Sequence, residues 1–320
     1  MNFGFESTTD EVLDGIDLSG KRAVVTGASG GLGEETARAL ASKGAAVTMT
    51  ARDVPKGEAA AAQIRESTGN PNVDVRTLEL ADLGSVRAFA ESFLADHDTL
   101  DLLINNAGIM ACPLMRTEAG WEMQFATNHV GHFLLTCLLA PALKAAASAR
   151  IVNLSSAGHH FGPVDFDDPF FDNREYDKWL AYGQAKSANI LFSVGLEQRL
   201  GATGVHAIAV HPGGIMTELG RHLTEEDIAA MVSRAGVDDP DAFQAGFKSI
   251  PQGAATSVWA ATSPDLEGRG GLYLEDCHVA GSGGGGLREG GYAEWALDPA
   301  GAEKLWSLSE QLVGESFPLA

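Results

Sequence analysis

From Lys21 onward, short apolar runs rich in Val, Ile and Ala alternate with longer amphipathic stretches. That rhythm belongs to β–α–β units, which lay parallel strands between helices on both faces of a sheet. The runs predict seven strands, at 22–26, 45–50, 73–78, 101–105, 150–154, 205–210 and 271–274. Capping residues, Ala/Leu content and apolar spacing predict helices at about 33–42, 56–66, 83–95, 119–146, 182–200, 251–261 and 300–313. The expected fold is α/β, a doubly wound seven-stranded parallel sheet with helices on both faces. It occupies one domain over residues 1–320, with residues 1–20 as an N-terminal extension.

Two segments break the rhythm. Residues 161–180 (FGPVDFDDPFFDNREYDKWL) are acidic and aromatic, and residues 217–249 form a charge-rich, helical insertion with a loop near 236–240. Both follow strands on the side where open α/β sheets bind ligands, so they are expected to wall a substrate pocket, surface decoration being the alternative. The aromatic set Phe161, Phe166, Phe170, Phe171, Tyr176 and Trp179 either lines that pocket or packs the insertion. The glycine tract 281–286 reads as a flexible surface loop.

Composition narrows the classes. With 320 residues, 45% of them hydrophobic and 20% charged, the chain can bury one large core. Twenty-two Lys and Arg against 43 Asp and Glu give a formal net charge of −21, which disfavours nucleic acid and anionic membrane surfaces as partners. No signal-peptide pattern opens the chain and no stretch has membrane-spanning length. Cys112, Cys137 and Cys277 are odd in number and far apart, fitting neither a disulfide framework nor a zinc site, and a reducing cytoplasmic setting is expected.

The chemistry begins directly after the first strand, at Thr26-Gly27-Ala28-Ser29-Gly30-Gly31-Leu32-Gly33. A strand-to-helix turn needs glycines if it is to bend tightly, admit a pyrophosphate without a Cβ in the way and aim free helix N–H groups at it. After the second strand stands Ala51-Arg52, with no carboxylate to bond ribose hydroxyls and with a guanidinium matched to a 2′-phosphate. NADP(H) is therefore expected over NAD(H), unless Arg52 is simply a solvated surface charge. Tyr182 and Lys186 stand four apart on a predicted helix and share a face. A phenol works as an acid/base near neutrality only where positive charge stabilises its phenolate, and Lys186 can supply that charge.

Further motifs follow in order: Asn105-Asn106-Ala107-Gly108, Asn128, Ser155-Ser156, Tyr182-x-x-x-Lys186 and His211-Pro212-Gly213. With T-G-x-x-x-G-x-G at the turn, this series resembles the short-chain dehydrogenase/reductase family, which implies a Rossmann-type fold. It is most similar to the branch of retinol dehydrogenases and the WW-domain oxidoreductase, through ARDVPKGE at 51–58, Ser155 to His160, AKSANILF at 185–192 and LWSLSEQL at 305–312. The resemblance implies a hydride exchanged between the nicotinamide and an apolar ketone, aldehyde or alcohol. In it Ser156 orients the substrate oxygen, Tyr182 gives or takes its proton, Lys186 lowers the tyrosine pKa and holds the ribose, and Asn128 positions a water. It also implies cofactor contacts from Gly27, Ser29, Gly30, Gly31, Leu32 and Gly33, and from Asn106, Ala107 and Gly108 beside the adenine ribose. Backbone at Ile215 and the Thr217 hydroxyl, in a loop with Pro212 and Gly213, would grip the carboxamide. For the adenine amino group the family has an Asp after the third strand; here Glu79-Leu80 stands there, with Asp82 as the other candidate. A homodimer or homotetramer is implied, sometimes built through the helices at 119–146 and 182–200. Ser155 is expected to be structural, His129 and His132 to serve packing or assembly, His159 and His160 to line the pocket rim or pack, and no metal to be held. Other readings are a catalytically idle dinucleotide-binding redox sensor, which needs no proton donor, and a sugar-nucleotide epimerase or dehydratase, which the glycine spacing disfavours.

Overall fold

The computed structural model describes residues 3–234, 246–283 and 290–319. The loop expected at 236–240 and the glycines at 284–286 lie outside them. Seven strands run parallel: β1 (Arg22–Val25), β2 (Ala46–Ala51), β3 (Val73–Thr77), β4 (Leu102–Asn105), β5 (Ala149–Leu154), β6 (Val205–His211) and β7 (Leu272–Glu275). The sheet is not the purely parallel seven-stranded one expected. An eighth strand, β8 (His278–Val279), pairs antiparallel with β7, giving the order β3-β2-β1-β4-β5-β6-β7-β8. The connecting pair Asp276-Cys277 sits at φ values of 45° and 55°. This is the mirror-image turn that matches strand twist, but its usual signal is Asn-Gly or Asp-Gly, which the sequence lacks here.

Residues of alternate parity point to opposite faces, as period-2 strands require. From β1, Val24 joins the core beneath α4 (Leu83–Asp96), α6 (Gly131–Ala145), α7 (Lys178–Leu200) and α10 (Pro299–Val313). Its neighbours Ala23 and Val25 join the opposite core with α2 (Gly31–Ser42), α3 (Val54–Thr68) and α9 (Ile250–Thr262). The extension carries a short helix, α1 (Thr9–Val12), closed by a Thr8/Glu11 capping box and packed on that second core.

The long helix expected at 119–146 begins later and is broken. Glu122 caps α5 (Met123–Phe125), a π-helical turn spans Ala126–Val130, and α6 follows. Gly131 permits the close approach: a Cβ there would lie 2.2 Å from the Leu80 carbonyl oxygen. Helices α6 and α7 are covered by α10 and the C-terminal tail, with the Phe133 and Trp306 ring centroids 5.0 Å apart and Lys144 Nζ donating to the Leu319 carbonyl at 3.0 Å.

Insertion 161–180 packs against the body. Phe170 and Phe171 are buried, Phe170 stacks on Trp121 at 6.0 Å, and Phe161 and Trp179 form an edge contact at 5.7 Å. Helix α8 (Glu225–Arg234) lies in the second insertion and is tied to the start of α7 by Lys178 Nζ and Asp227 at 2.6 Å. Within the glycine tract, Gly283 N–H donates to the Tyr292 carbonyl and Tyr292 N–H to the Gly281 carbonyl, so its described part is a paired bridge.

Candidate active site

The strand order reverses between β1 and β4, and at such a crevice the carboxyl ends of strands present their loops to a ligand. The glycine turn leaves β1 here. Gly27 (φ 63°) lies against Ala107, where a Cβ would sit 2.9 Å from its Cα and its Cβ. A Cβ on Gly33 would meet the Gly27 carbonyl at 2.4 Å and Asn106 Nδ2 at 2.5 Å. Among the described residues, several helices start with a side chain accepting their first N–H groups: Asp53 for α3, Asp82 for α4, Asp177 for α7 and Asp298 for α10. Helix α2 starts on Gly30 with no such bond, so the N–H groups of Gly31, Leu32 and Gly33 take no side-chain partner. That arrangement fits an anionic group such as a pyrophosphate. Ser29 and Gly30 lie half-buried on the same turn.

Around this turn the expected cofactor residues divide. Asn106 and Ala107 N–H groups both donate to Thr26 Oγ1 at 2.9 Å, and Asn106 Nδ2 donates to the Thr26 carbonyl at 2.7 Å, so Asn106 is a strut of the turn. The Thr26 hydroxyl also meets His132 Nε2 at 2.9 Å, and His132 Nδ1 bonds the Asn128 carbonyl at 3.0 Å. Because a carbonyl only accepts, His132 carries its proton on Nδ1, and burial holds its pKa near 4. The histidine thus connects the glycine turn to the π-helical turn bearing Asn128. Arg52 is exposed, with Glu79 3.6 Å away. Glu79 accepts from Ala81 N–H, Asp82 is spent on capping α4, and the Leu80 side chain is buried in the core. On the opposite bank, Gly213 (φ 100°), Ile215 and Thr217 lie in the loop after β6. Ile215 bridges to Lys248, and Thr217 Cγ2 lies 3.5 Å from where a Gly31 Cβ would be. Pro212 precedes them, half-buried. Lys56 Nζ and the Glu218 carboxylate, 2.7 Å apart, span the two banks.

The four expected catalytic residues converge. Tyr182 and Lys186 are 3% and 4% exposed on α7. Lys186 Nζ donates to the Leu154 carbonyl at 2.9 Å and lies 5.6 Å from the Tyr182 ring centroid. Asn128 spends its amide on both backbone groups of Ile109, at 2.9 Å each. Gly108 stands between Asn128 and Lys186: a Cβ there would be 3.2 Å from Asn128 Oδ1 and 3.7 Å from Lys186 Nζ. Ser156 Oγ accepts from Gly158 N–H at 3.0 Å, and it borders, with the Tyr182 ring, the space that a Gly158 Cβ would fill. Ser155, its neighbour, donates to the Lys186 carbonyl and holds β5 to α7.

One expectation differs in direction. Within the protein alone, burial pushes the Tyr182 phenol up to about 12 and the Lys186 ammonium down to about 8. Desolvation is the larger effect, and the nearby Ser156 hydroxyl offsets only part of it. At neutral pH the phenol is accordingly a proton donor and the lysine remains charged.

Sequence reasoning did not single out Gly158, where a Cβ would lie 2.7 Å from Tyr182 Cε1; only the crossing of α7 over this turn reveals it. His159 and His160 pack against each other, their ring centroids 4.1 Å apart. Among the described residues no group of three His, Cys, Asp or Glu side chains is placed to hold a metal ion.

Comparison with known proteins gives the family. Residues 21–228 match the family model described as short chain dehydrogenase. The chain is 44% identical to retinol dehydrogenase 12 of Mus musculus, over 93% of this chain and 88% of that protein. It is 42% identical to short-chain dehydrogenase/reductase prx1 of Penicillium roqueforti, over 95% and 88% respectively. The crystal structure of an uncharacterized protein from Mycobacterium paratuberculosis superposes with a TM-score of 0.75 at 37% identity, covering 98% of this chain and all 100% of that one.

Proposed function

The chain belongs to the short-chain dehydrogenase family, and from that premise we propose that it interconverts apolar ketones or aldehydes and their alcohols, preferring NADP(H) to NAD(H). As a member it is an oxidoreductase of C=O and CH–OH groups using a nicotinamide dinucleotide. The observation that carries the finer reading is the convergence of the Ser156 hydroxyl, a buried Tyr182 ring and the Lys186 ammonium on one turn.

The free N–H groups at the start of α2 would hold the pyrophosphate, Arg52 a 2′-phosphate, Lys186 the ribose hydroxyls and the Ile215 backbone the carboxamide. Bound there, the dinucleotide supplies or accepts the hydride. Ser156 donates to the substrate oxygen and fixes its orientation, while Tyr182 gives that oxygen its proton in reduction and takes it back in oxidation. Lys186 restores charge balance beside the tyrosine, through N–H donors left beyond its Leu154 bond. Asn128, locked on Ile109, holds the floor beneath Gly108, where a water would connect Lys186 to solvent.

An apolar substrate is favoured by exposed Leu114, Met115, Met216 and Ile228, which lie on the loop after β4, the loop after β6 and α8. Tyr176 Oη donates to the Cys112 carbonyl at 3.0 Å and Lys178 holds α8, so insertion 161–180 connects those segments. We read both insertions as pocket walls of one domain. Three unpaired, buried cysteines favour the cytoplasm, and among the described residues no helix is long and apolar enough to cross a membrane. A homodimer or homotetramer would have to use a surface other than α6 and α7, which α10 covers.

The test is turnover of NADPH with a panel of bulky aldehydes and ketones. Tyr182→Phe should lower kcat by about a thousandfold or more while cofactor affinity stays within about threefold. Wild-type rates in that variant would remove Tyr182 from its role, and a wild-type protein that binds NADPH yet reduces nothing would favour a redox sensor.

A further inference from the structure

The peptide group joining Ser156 to Ala157 is bonded at both ends by imidazoles. Its oxygen, the Ser156 carbonyl, lies 2.7 Å from His159 Nδ1. Its N–H, that of Ala157, donates to His211 Nδ1 at 3.1 Å. Backbone partners fix the proton on each ring, since a carbonyl only accepts and an amide N–H only donates. His159 carries its proton on Nδ1, because Nε2 accepts from Ala293 N–H at 3.0 Å. His211 carries its own on Nε2, because Nδ1 accepts from Ala157 and also from Gly213 N–H at 3.4 Å. Either ring, if doubly protonated, would turn an N–H against a backbone N–H.

The surroundings favour the neutral rings. His159 is fully buried, faces His160 and the Tyr273 ring, and burial holds its pKa near 4. His211 faces Lys248, Asp276, His159 and His160, and desolvation with the Lys248 ammonium holds it equally low against the opposing pull of Asp276. Lys248 itself is buried, paired with Asp276 at 2.5 Å, and its backbone N–H donates to the Gly214 carbonyl. The His211 ring therefore touches the serine turn on one side and the loop that begins at Pro212 on the other.

We propose that His159 and His211 are positioning residues that clamp the Ser156–Ala157 peptide in neutral, oppositely protonated forms and so aim the Ser156 hydroxyl at the oxygen shared with Tyr182. The inference rests on the reading of Ser156 given above. The clamp limits rotation of the peptide plane, on which the direction of the serine Cα–Cβ bond depends. Gly158 needs that restraint, because the turn presses on the Tyr182 ring with no room for a methyl group. Through Gly213, His211 also makes the serine's position depend on the loop proposed to grip the nicotinamide.

Two measurements test it. Nitrogen-15 NMR of the full-length, cofactor-free protein should show His159 as the Nδ1–H tautomer and His211 as the Nε2–H tautomer, both neutral down to about pH 5.5. An imidazolium at either position near neutrality, or the opposite tautomer, overturns the clamp without touching Ser156. In turnover, His211→Gln should lower kcat by roughly tenfold or more, because its oxygen reaches the Nε2 position and leaves Ala157 N–H unpaired. His211→Asn, whose oxygen takes the Nδ1 position, should recover most of that loss even where both variants melt at the same lowered temperature. Equal loss in the two variants, or a kcat that follows melting temperature alone, overturns the proposal. Wild-type rates in Ser156→Ala with the tautomers as stated would instead sink the reading of the serine.

Discussion

At Arg52 a guanidinium is held at the rim of the crevice only by a carboxylate 3.6 Å away, and its side chain is 64% exposed. An exposed pair of that length contributes little, so the guanidinium is free to turn toward a phosphate at small cost. Arg52→Ala should raise KM for NADPH by about tenfold or more and KM for NADH by less than about threefold. Equal changes for both cofactors would sink the phosphate assignment. Tyr182 and Lys186 were legible as a pair because helix periodicity places them on one face, while the roles expected of them came from the ordered motifs around them. Gly158, His132 and His211 were not legible in their roles, since each acts across a crossing of elements far apart in the chain: Thr26 with His132, β6 with the turn after β5, α7 with Gly158. Residue identity announced that histidines were present; only partner atoms reveal which nitrogen carries the proton.

Among elements, the parallel strands were readable to within a residue or two, because each is an apolar run bounded by turn residues. Two of the elements that escaped that reading have a clear physical reason. The π-helical turn at Ala126–Val130 keeps the hydrophobic spacing of a helix and leaves no compositional trace. The β7–β8 hairpin turns on Asp276-Cys277, with a cysteine at positive φ where this turn usually carries glycine, so its formation depends on tertiary contacts. Those contacts are visible: Cys277 N–H donates to Thr256 Oγ1 at 3.2 Å, and Asp276 receives the buried Lys248 ammonium. Asp276→Asn keeps a residue tolerant of this backbone but leaves Lys248 without a counter-charge. Discounted for the partial exposure of Asp276, the expected loss is about 2 kcal/mol in urea unfolding. Adding Lys248→Met should return part of it, and a single-variant loss below about 0.5 kcal/mol would show that the pair does not hold the hairpin.

On the scale of the whole molecule, α10 and the tail occupy the flank where α6, α7 and the π-helical turn would otherwise present Phe133, Phe192 and His129. Ser309 on α10 bonds His129 Nε2 at 2.8 Å, and Phe317 packs on Phe133 at 6.0 Å. Removing residues 299–320 should therefore uncover an apolar flank large enough to drive self-association, read by sedimentation velocity against the full chain. Trp306→Asp is the milder variant with the same expected direction, and unchanged sedimentation in both would mean that this flank is not a latent contact. The uncapped start of α2 has a consequence of another kind. Helices such as α3, α4, α7 and α10 complete their first turn from their own sequence, whereas on the reading proposed above α2 would take its partner from the dinucleotide, whose binding would add RT ln(1 + [L]/Kd) to the folded state. The lifetime of the protein against proteases would then follow the supply of its coenzyme, and scarcity would thin out the catalyst along with the reaction.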